Sequence, residues 1–383
     1  MAEGRATQVA FGDVVRLNKE RTSDPDADGF DRYVGLEHID PGDFRIRRWG
    51  DVADGTTFTN VFRPGQVLFG KRRAYQRKVA VADFDGVCSG DIYVLESKDS
   101  SVLLPELLPF ICQSDHFFDH AVETSAGSLS PRTSWQRIST LSMALPALDE
   151  QRRMADALEA SRRSAESLGE ACTAAGSCRA AFIDHTLQSL AASAPEFTLT
   201  DCLDRATVGI VVKPAALYTE TGGVPALRSL NVRPGRIIWD DMVRISTDGH
   251  AAHRKSSLLP GDVVIVRTGR PGDAAAIPED VGELNCIDLI VATPSATLRP
   301  AFLAAVLNSN FGRRQFTAGT AGTAQKHFNV GSLTQVRIPL PEIEEQEALE
   351  VAVAAFDRAE DVCKARLEQA RQLHMSLVNG VLG

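Results

Sequence analysis

Leu145-Pro-Ala-Leu-Asp-Glu-Gln151 recurs as Leu340-Pro-Glu-Ile-Glu-Glu-Gln346, about 195 residues further along a chain of 383. From this segment the match extends without gaps back to Pro105 over Pro300, and forward to the end of the chain. Self-similarity at a fixed offset is typical of a duplicated architecture. Two domains are also expected from the length, because single hydrophobic cores usually stop growing below this size.

The repeat continues upstream of the gap-free region, with small gaps. Tyr33-Val-Gly-Leu-Glu-His-Ile39 matches Val224-Pro-Ala-Leu-Arg-Ser-Leu230. Arg63-Pro-Gly-Gln-Val-Leu-Phe-Gly-Lys71 matches Leu259-Pro-Gly-Asp-Val-Val-Ile-Val-Arg267. Short β-branched runs behind Pro-Gly turns are typical of strands. Each half is therefore expected to contain several short strands.

A helix is expected after these strands in each half, at residues 103–120 and 300–316, followed by one more strand. After each Leu-Pro the apolar period changes from about two to a heptad, which predicts a long helix. The sequence thus predicts a mixed α/β (α+β) fold with a pseudo-two-fold internal repeat. Its parts are a globular domain, a long helix, a second globular domain and a second long helix, at residues 1–148, 149–195, 196–343 and 344–383.

The two long helices carry apolar seams of matching spacing, alternately four and three residues apart. Such seams suit burial of one helix against the other in an antiparallel coiled coil. The alternative is that each helix packs on its own domain. The seam residues are Met154, Leu158, Ser161, Ala165, Leu168, Cys172 and Ala175 in the first helix, and Leu349, Val353, Phe356, Glu360, Cys363, Leu367 and Ala370 in the second.

The net charge of −9 works against DNA binding, because phosphate contacts need Lys and Arg. Residues 149–195 and 344–383 carry −2 and −4 of that charge, so the two globular parts are nearly balanced. Any contact with DNA is then expected from local basic loops. With neither an apolar run of membrane-spanning length nor a signal-peptide pattern at the N-terminus, the protein is expected in the cytoplasm, away from membranes.

Seven cysteines, an odd number without a CxxC pair, predict unpaired thiols in a reducing compartment, with neither zinc nor disulfides. Cys88 and Cys286 occupy matching places within strand-like runs. Both are expected to be core residues.

Three patterns suggest chemistry and are better explained otherwise. Gly65-Gln-Val-Leu-Phe-Gly-Lys71 fits a phosphate loop by letter, but Arg72 stands where Ser or Thr should hold the metal, so a strand is predicted. His116 with His120, and His250 with His253, have helical metal spacing but no third ligand. The sequence has no nucleophile elbow, no dinucleotide-binding glycine loop and no motif of adenine methylation. No catalytic residue, metal or cofactor is predicted.

Two basic segments occupy the same place in both halves, directly after a predicted strand. Lys and Arg in this density can neutralise phosphates, and Arg can read guanine with a bidentate hydrogen bond. A solvated basic turn is the alternative. The candidate DNA-binding residues here are Lys71, Arg72, Arg73, Tyr75, Arg77 and Lys78 in the first half, and Arg267, Thr268 and Arg270 in the second.

Two later loops, at residues 127–134 and 322–329, are rich in Gly, Ser and Thr and suit phosphate or base-edge contacts, although turn chemistry alone would also produce them. The candidate DNA-binding residues here are Arg132, Gln325, Lys326 and His327.

The sequence is similar to the specificity subunits of type I restriction-modification systems. The similarity is carried by the Gly-Thr-Ala-Gln-Lys loop at residues 322–326, the strand into Ile338-Pro-Leu-Pro341, the helix starts at Glu150-Gln151 and Glu345-Gln346, and the ending Ser376-Leu-Val-Asn-Gly380. It covers essentially the whole chain. Each motif is only moderately specific, but their duplicated order is much more so.

The resemblance implies a non-catalytic subunit in which each globular domain reads one half of a bipartite DNA target. The paired helices would set the distance between the halves and dock two methyltransferase subunits, which bind S-adenosylmethionine and methylate adenine. The resemblance also allows for a motor-nuclease subunit as a further partner. One departure is Ser130-Pro-Arg132 in the first half against Gln325-Lys-His327 in the second, which puts a shared role of the two loops in doubt.

Two other classes of function stay open on the residues alone. One is a self-contained nucleic-acid-modifying enzyme, which S-adenosylmethionine binding by the chain would favour. The other is a coiled-coil scaffold without DNA affinity, which would show no retention on duplex DNA.

Overall fold

The computed structural model describes residues 6–318 and 329–381, which divide into two compact units. The first unit comprises Met1–Gly169 and Ala365–Gly383, and the second comprises Glu170–Lys364. Each of the two long helices therefore contributes one segment to each unit. In the described ranges, no helix combines the length and the apolar character needed to cross a membrane.

The first unit contains two four-stranded sheets and four short helices before its long helix. Its strands are β1 (Thr7–Ala10), β2 (Val15–Leu17), β3 (Arg32–Val34), β4 (Gly50–Asp51), β5 (Asn60–Phe62), β6 (Val67–Gly70), β7 (Val79–Val81), β8 (Gly86–Cys88), β9 (Ile92–Ser97) and β10 (Ser142–Leu145). Its helices are α1 (Phe11–Val14), α2 (Leu108–Gln113), α3 (Asp115–Glu123), α4 (Trp135–Ile138) and the long α5 (Leu148–Ser193), which continues into the second unit.

The second unit repeats this order and adds a two-stranded hairpin (β14 and β15) and a helix (α7). Its strands are β11 (Glu196–Thr198), β12 (Leu203–Val208), β13 (Val224–Leu227), β14 (Val232–Arg233), β15 (Arg236–Ile237), β16 (Val243–Ile245), β17 (Ser257–Leu258), β18 (Val263–Val266), β19 (Ala274–Ala276), β20 (Leu284–Cys286), β21 (Leu289–Pro294) and β22 (Arg337–Pro339). Its helices are α6 (Leu199–Cys202), α7 (Thr247–Ala252), α8 (Pro300–Asn308), α9 (Asn310–Ala318), α10 (Val330–Thr334) and the long α11 (Ile343–Asn379), which continues into the first unit.

The strand order is the same in both units. One sheet runs β2-β9-β6-β7 in the first unit and β12-β21-β18-β19 in the second, with antiparallel neighbours throughout. The other runs β4-β3-β8-β5 and β16-β13-β20-β17, with a parallel pair at β3/β8 and at β13/β20. The predicted mixed α/β fold with an internal repeat is confirmed.

The sequence of strand β6 is apolar at every position because both faces of the strand are buried. Val67 and Phe69 face the cluster that includes the helices, whereas Leu68 faces the second sheet. Strand β18 shows the same division: Val263 and Ile265 face the cluster that includes the helices, whereas Val264 and Val266 face the second sheet. A strand that is covered on both faces needs apolar residues at every position. The predicted strand at the GxxxxGK segment is confirmed, as is burial of Cys88 and Cys286.

Two details of the sequence prediction are wrong. The helices predicted at 103–120 and 300–316 are each two helices, broken at Ser114 and Ser309, whose hydroxyls accept hydrogen bonds from the third backbone N–H beyond. An N-cap serine starts a new helix at such a point. The alignment of Tyr33 with Val224 is also shifted by two residues, because the sheet register pairs the neighbouring Val34 with Cys88 and Leu227 with Cys286.

The long helices pack on the globular cores at their ends. Helix α5 contributes Leu158 to the core of the first unit and Leu187 to that of the second, and α11 contributes Leu349 to the second and Val378 to the first. The alternative prediction, that each long helix packs on a globular domain, thus holds for the ends of both helices.

Candidate nucleic-acid interface

The first basic segment, residues 71–78, is a tight turn at the end of β6. Its centre is a 3-10 turn, Ala74–Gln76, between Arg73 and Arg77, and both arginines have left-handed backbone conformations, with φ of 53° and 54°. The N–H of Arg73 donates to the Pro131 carbonyl at 2.7 Å, and Arg72 forms a β-bridge with Arg132. The structure thus brings together two segments that the sequence analysis named separately.

Asp91 organises the guanidinium groups at this junction. Arg132 Nε donates to its carboxylate at 2.8 Å, and Arg72 Nη1 lies 3.4 Å from it. The hydrogen bond from Arg132 is the main reason that the pKa of Asp91 is lowered from its ordinary value. Both arginine side chains remain partly exposed, at 38% for Arg72 and 50% for Arg132. They are therefore held in place while they stay accessible to a ligand.

The remaining residues of the turn differ in accessibility. Arg77 pairs with Asp115 at 2.6 Å and lies over the ring of Phe118, and Lys78 donates to the Leu36 carbonyl. These two cations are engaged in contacts within the unit. Tyr75 is 57% exposed and is available for stacking. Arg73 is half-buried, and its Nε has no hydrogen-bond partner among the described residues.

The second-unit segment, residues 267–270, starts at the same point of the fold, after β18. Arg267 Nη1 pairs with Asp288 at 2.7 Å, and the Thr268 hydroxyl lies 3.3 Å from the same carboxylate. Arg270 lies 3.4 Å from Asp273 and also donates to the Val232 carbonyl. Gln325, Lys326 and His327 lie outside the described residues.

Four further residues at this site are not among those predicted from the sequence. Asp91 and Asp288 stand at the same place, directly before β9 and directly before β21, and each fixes a candidate arginine. Their recurrence at matching positions was a signal in the sequence. Lys19 and Arg21, which follow β2, are exposed and line a pocket together with Lys71. The run Asn-Lys-Glu-Arg was visible, but its proximity to Lys71 depends on the sheet.

The histidine pairs make contacts within the fold. His116 Nε2 shares a 2.9 Å hydrogen bond with the backbone carbonyl of Ser142. His120 Nε2 shares one of the same length with the backbone carbonyl of Arg137. His250 shares one with the Asn285 side chain. The described residues contain no group of three or more His, Cys, Asp or Glu arranged to hold a metal ion.

Within each unit, segments of the long helices lie side by side and antiparallel. In the first unit, Ser161 shares a 2.7 Å hydrogen bond with His374. A methyl group added at Gly169 would lie 4.0 Å from the Leu367 side chain. The seam residues Met154 and Leu158 pack on the core of the unit.

In the second unit, the facing segments contain a disulfide between Cys172 and Cys363, whose Cα atoms are 5.7 Å apart. Arg179 pairs with Asp357 at 2.8 Å along the same helix pair. The ring of the seam residue Phe356 lies 5.4 Å from another phenylalanine ring, and the seam residues Leu349 and Val353 pack on the core of the unit. The expectation that every thiol is unpaired is wrong, because the heptad places these two on facing helices.

A duplicated mixed α/β protein with antiparallel long-helix segments is the class that this fold defines. No protein-family model matches the chain. It is similar to the type I restriction enzyme EcoDI specificity subunit of Escherichia coli, with 28% identity over 137 residues, 33% of this chain and 29% of the relative. It is also similar to the MjaVIII specificity subunit of Methanocaldococcus jannaschii, with 25% identity over 167 residues, 42% of this chain and 39% of the relative. The matches span about a third of these curated relatives.

Solved structures share the fold along the whole chain. A structure described as "Structural basis underlying complex assembly and conformational transition of the type I R-M system" matches with a TM-score of 0.66 and 19% identity, over 99% of this chain and 97% of that one. The type I restriction-modification S subunit from M. genitalium matches with a TM-score of 0.57 and 13% identity, over 100% and 97%. The resemblance to type I specificity subunits is confirmed.

Proposed function

We propose that this chain is a non-catalytic specificity subunit that recognises a bipartite DNA sequence and directs partner methyltransferase subunits to it. The carrying observation is that each unit repeats one two-sheet topology and presents a basic turn at the same strand end, in a chain that resembles specificity subunits. Two similar units with different surface side chains suit two different half-sites.

In the first unit, Arg72, Arg132 and Tyr75 are the residues best placed for contact with DNA. Asp91 holds the two guanidinium groups, which limits the rotamer entropy that binding would cost. The fixed fork of a guanidinium matches either a phosphate or a guanine edge. Tyr75 offers an exposed ring beside them.

The partners in this proposal supply the reaction. Two methyltransferase subunits would bind S-adenosylmethionine and methylate adenine, and a motor-nuclease subunit would add cleavage. The docking surface would lie on the long helices. Much of the net negative charge of the chain lies in these helical segments, so it would not oppose DNA at the globular parts.

A domain exchange tests the bipartite assignment. Residues 196–343 are replaced by the corresponding domain of a specificity subunit with another target, and adenine methylation is mapped in a host that also expresses the partner methyltransferase. One half of the methylated motif should change and the other should stay. Replacement of residues 1–148 is the reciprocal control. A motif that changed in both halves, or in neither, would contradict the proposal.

Binding of the full chain to duplex DNA tests the basic turn. Arg72→Ala with Arg73→Ala should weaken binding at every salt concentration and make the salt dependence shallower, because fewer phosphates are neutralised. An unchanged salt dependence would remove the turn from the interface. Thermal melting accompanies the measurement, because the Arg72 side chain also donates a hydrogen bond to Ser130 in the neighbouring loop.

A further inference from the structure

A basic pocket of about 400 Å³ lies in the first unit, next to the basic turn. It is formed where β2 ends and β5 begins, beside the end of β6 and the start of β9. The polar and aromatic residues that line it are Asn18, Lys19, Arg21, Asn60, Lys71 and Tyr93.

The pocket is positively charged without a carboxylate in its wall. None of the ten residues that line it in the described unit is acidic. Lys19, Arg21 and Lys71 make no ion pair with any described residue. The ammonium of Lys71 lies 4.6 Å from the centre of the Tyr93 ring, which restricts its position. A cationic group without a fixed partner on a concave surface attracts an anion.

The surroundings of Lys71 show the local field. Burial is the main cause that lowers its pKa, Asp91 opposes the shift, and the charges of Arg132 and Arg21 lower it further. The positive charges of the two arginines therefore disfavour the charged form of Lys71. An anion in the pocket would relieve this repulsion.

The described positions of the second unit that correspond to Lys19, Arg21 and Lys71 have different side chains. The strand registers place Val208 and Ile210 where the first unit has Lys19 and Arg21. Arg267, which corresponds to Lys71, is paired with Asp288. At the described positions, the set of three cations in the basic pocket is thus not repeated, and the duplicated fold does not require it.

We propose that the basic pocket binds a backbone phosphate of double-stranded DNA through Lys19, Arg21 and Lys71. The contact would position the first unit on the duplex without reading a base, since phosphate contacts carry no direct sequence information. This inference rests on the proposed function, because it assumes that the unit binds DNA.

The test measures how the affinity of the full chain for a 30-base-pair duplex depends on salt. Lys19→Ala with Arg21→Ala should weaken binding to all duplex sequences alike and reduce the slope of log K against log salt by about 1, the value for one lost phosphate contact. Arg152→Ala with Arg153→Ala is the matched control, since it removes two exposed cations from helix α5. The control should leave the slope unchanged.

Two outcomes overturn the inference alone. One is a pocket variant with the wild-type slope while Arg72→Ala with Arg73→Ala has a reduced slope. The other is saturable binding of inorganic phosphate to the pocket, measured by calorimetry at constant ionic strength, with DNA binding unaffected by the variant. In either case DNA recognition would stand. If the wild-type chain, with its methyltransferase partner, did not bind duplex DNA, the proposed function itself would fail.

Discussion

The two units use the same side chain at the start of each long helix but different side chains at the end of the equivalent strands β6 and β18. At each helix start a buried glutamine, Gln151 or Gln346, accepts a backbone hydrogen bond from the loop before the domain helix and donates two more. At the end of the equivalent strands, Lys71 lines a basic pocket in the first unit, whereas Arg267 forms an ion pair with Asp288 in the second. The two units thus share the contacts that shape the fold and differ in those at the strand end, where we propose contact with DNA.

An intermediate case lies inside the sheets, where the charge has changed place. In the second unit Asp262 is fully buried and accepts hydrogen bonds from Arg205 and Thr293. The strand register puts Gln66, Arg16 and Glu96 at these positions in the first unit, so the carboxylate there is on the neighbouring strand. One network keeps an acid, a base and a polar link in either arrangement.

The largest expected difference between the units concerns this network. Asp262→Ala should destabilise the second unit by about 4 kcal/mol, because it leaves a guanidinium without its buried partner. Gln66→Ala should cost the first unit only about 1–2 kcal/mol, because a neutral group loses its hydrogen bonds while Arg16 keeps Glu96. Hydrogen exchange of peptides from β18 and from β6 measures each unit separately. Equal losses of protection would show that the position of the charge does not matter.

The second expected effect is on the helix pair. By the offset of the repeat, Cys172 and Cys363 correspond to Leu367 and Leu168, so one unit has a covalent link where the other has leucines. Titration of the unfolded, unreduced protein should find five free thiols rather than seven. Cys172→Ser should cost about 2–4 kcal/mol under oxidising conditions and much less after reduction. Cys178→Ser, an exposed free cysteine of α5, is the control.

A third prediction tests the symmetry directly. Gln151→Ala and Gln346→Ala each remove three hydrogen bonds from buried groups, and each should cost its own unit about 2 kcal/mol. The double variant should show additive losses, because the two sites share no partners. Denaturation followed by proteolysis of each unit measures both. A loss of stability in one unit only would mean that the glutamine of the repeated motif stabilises that unit and is dispensable in the other.

The sequence predicted the architecture better than the site, for physical reasons. The Leu-Pro…Glu-Gln segments identify the repeat because Gln151 and Gln346 are held by the same buried bonds. The apolar pattern does not reveal the two-residue shift in the alignment of Tyr33, because moving a strand by two residues keeps each side chain on its face of the sheet. Nor could periodicity show that Ser114 breaks a helix, since the apolar pattern continues on both sides.

The predicted DNA-binding residues were identified by type and density, which say nothing about partners. Residues 71–78 look like one basic patch, but Arg77 and Lys78 are engaged within the unit. Asp91 directly precedes β9 and Lys19 follows β2, so both are separated from Lys71 in the sequence. Only the sheet order brings them to Lys71, so the local sequence does not show the pocket.

The smallest expected effect is a pH dependence confined to the first unit. Burial, and then the charge of Arg162, lower the pKa of His374 from its ordinary 6.5, while Glu159 opposes the shift. The folded state therefore binds fewer protons, so stability is complete above about pH 6.5 and falls as the pH drops through the folded pKa, by at most about 1.4 kcal/mol per pH unit. His374→Gln should remove this dependence from hydrogen exchange of the first unit, and His185→Gln, an exposed control, should not. The position equivalent to His374 is Arg179, which has no imidazole and pairs with Asp357, so the second unit should show no such decline in this range. A decline of equal size in both units would attribute the effect to other groups.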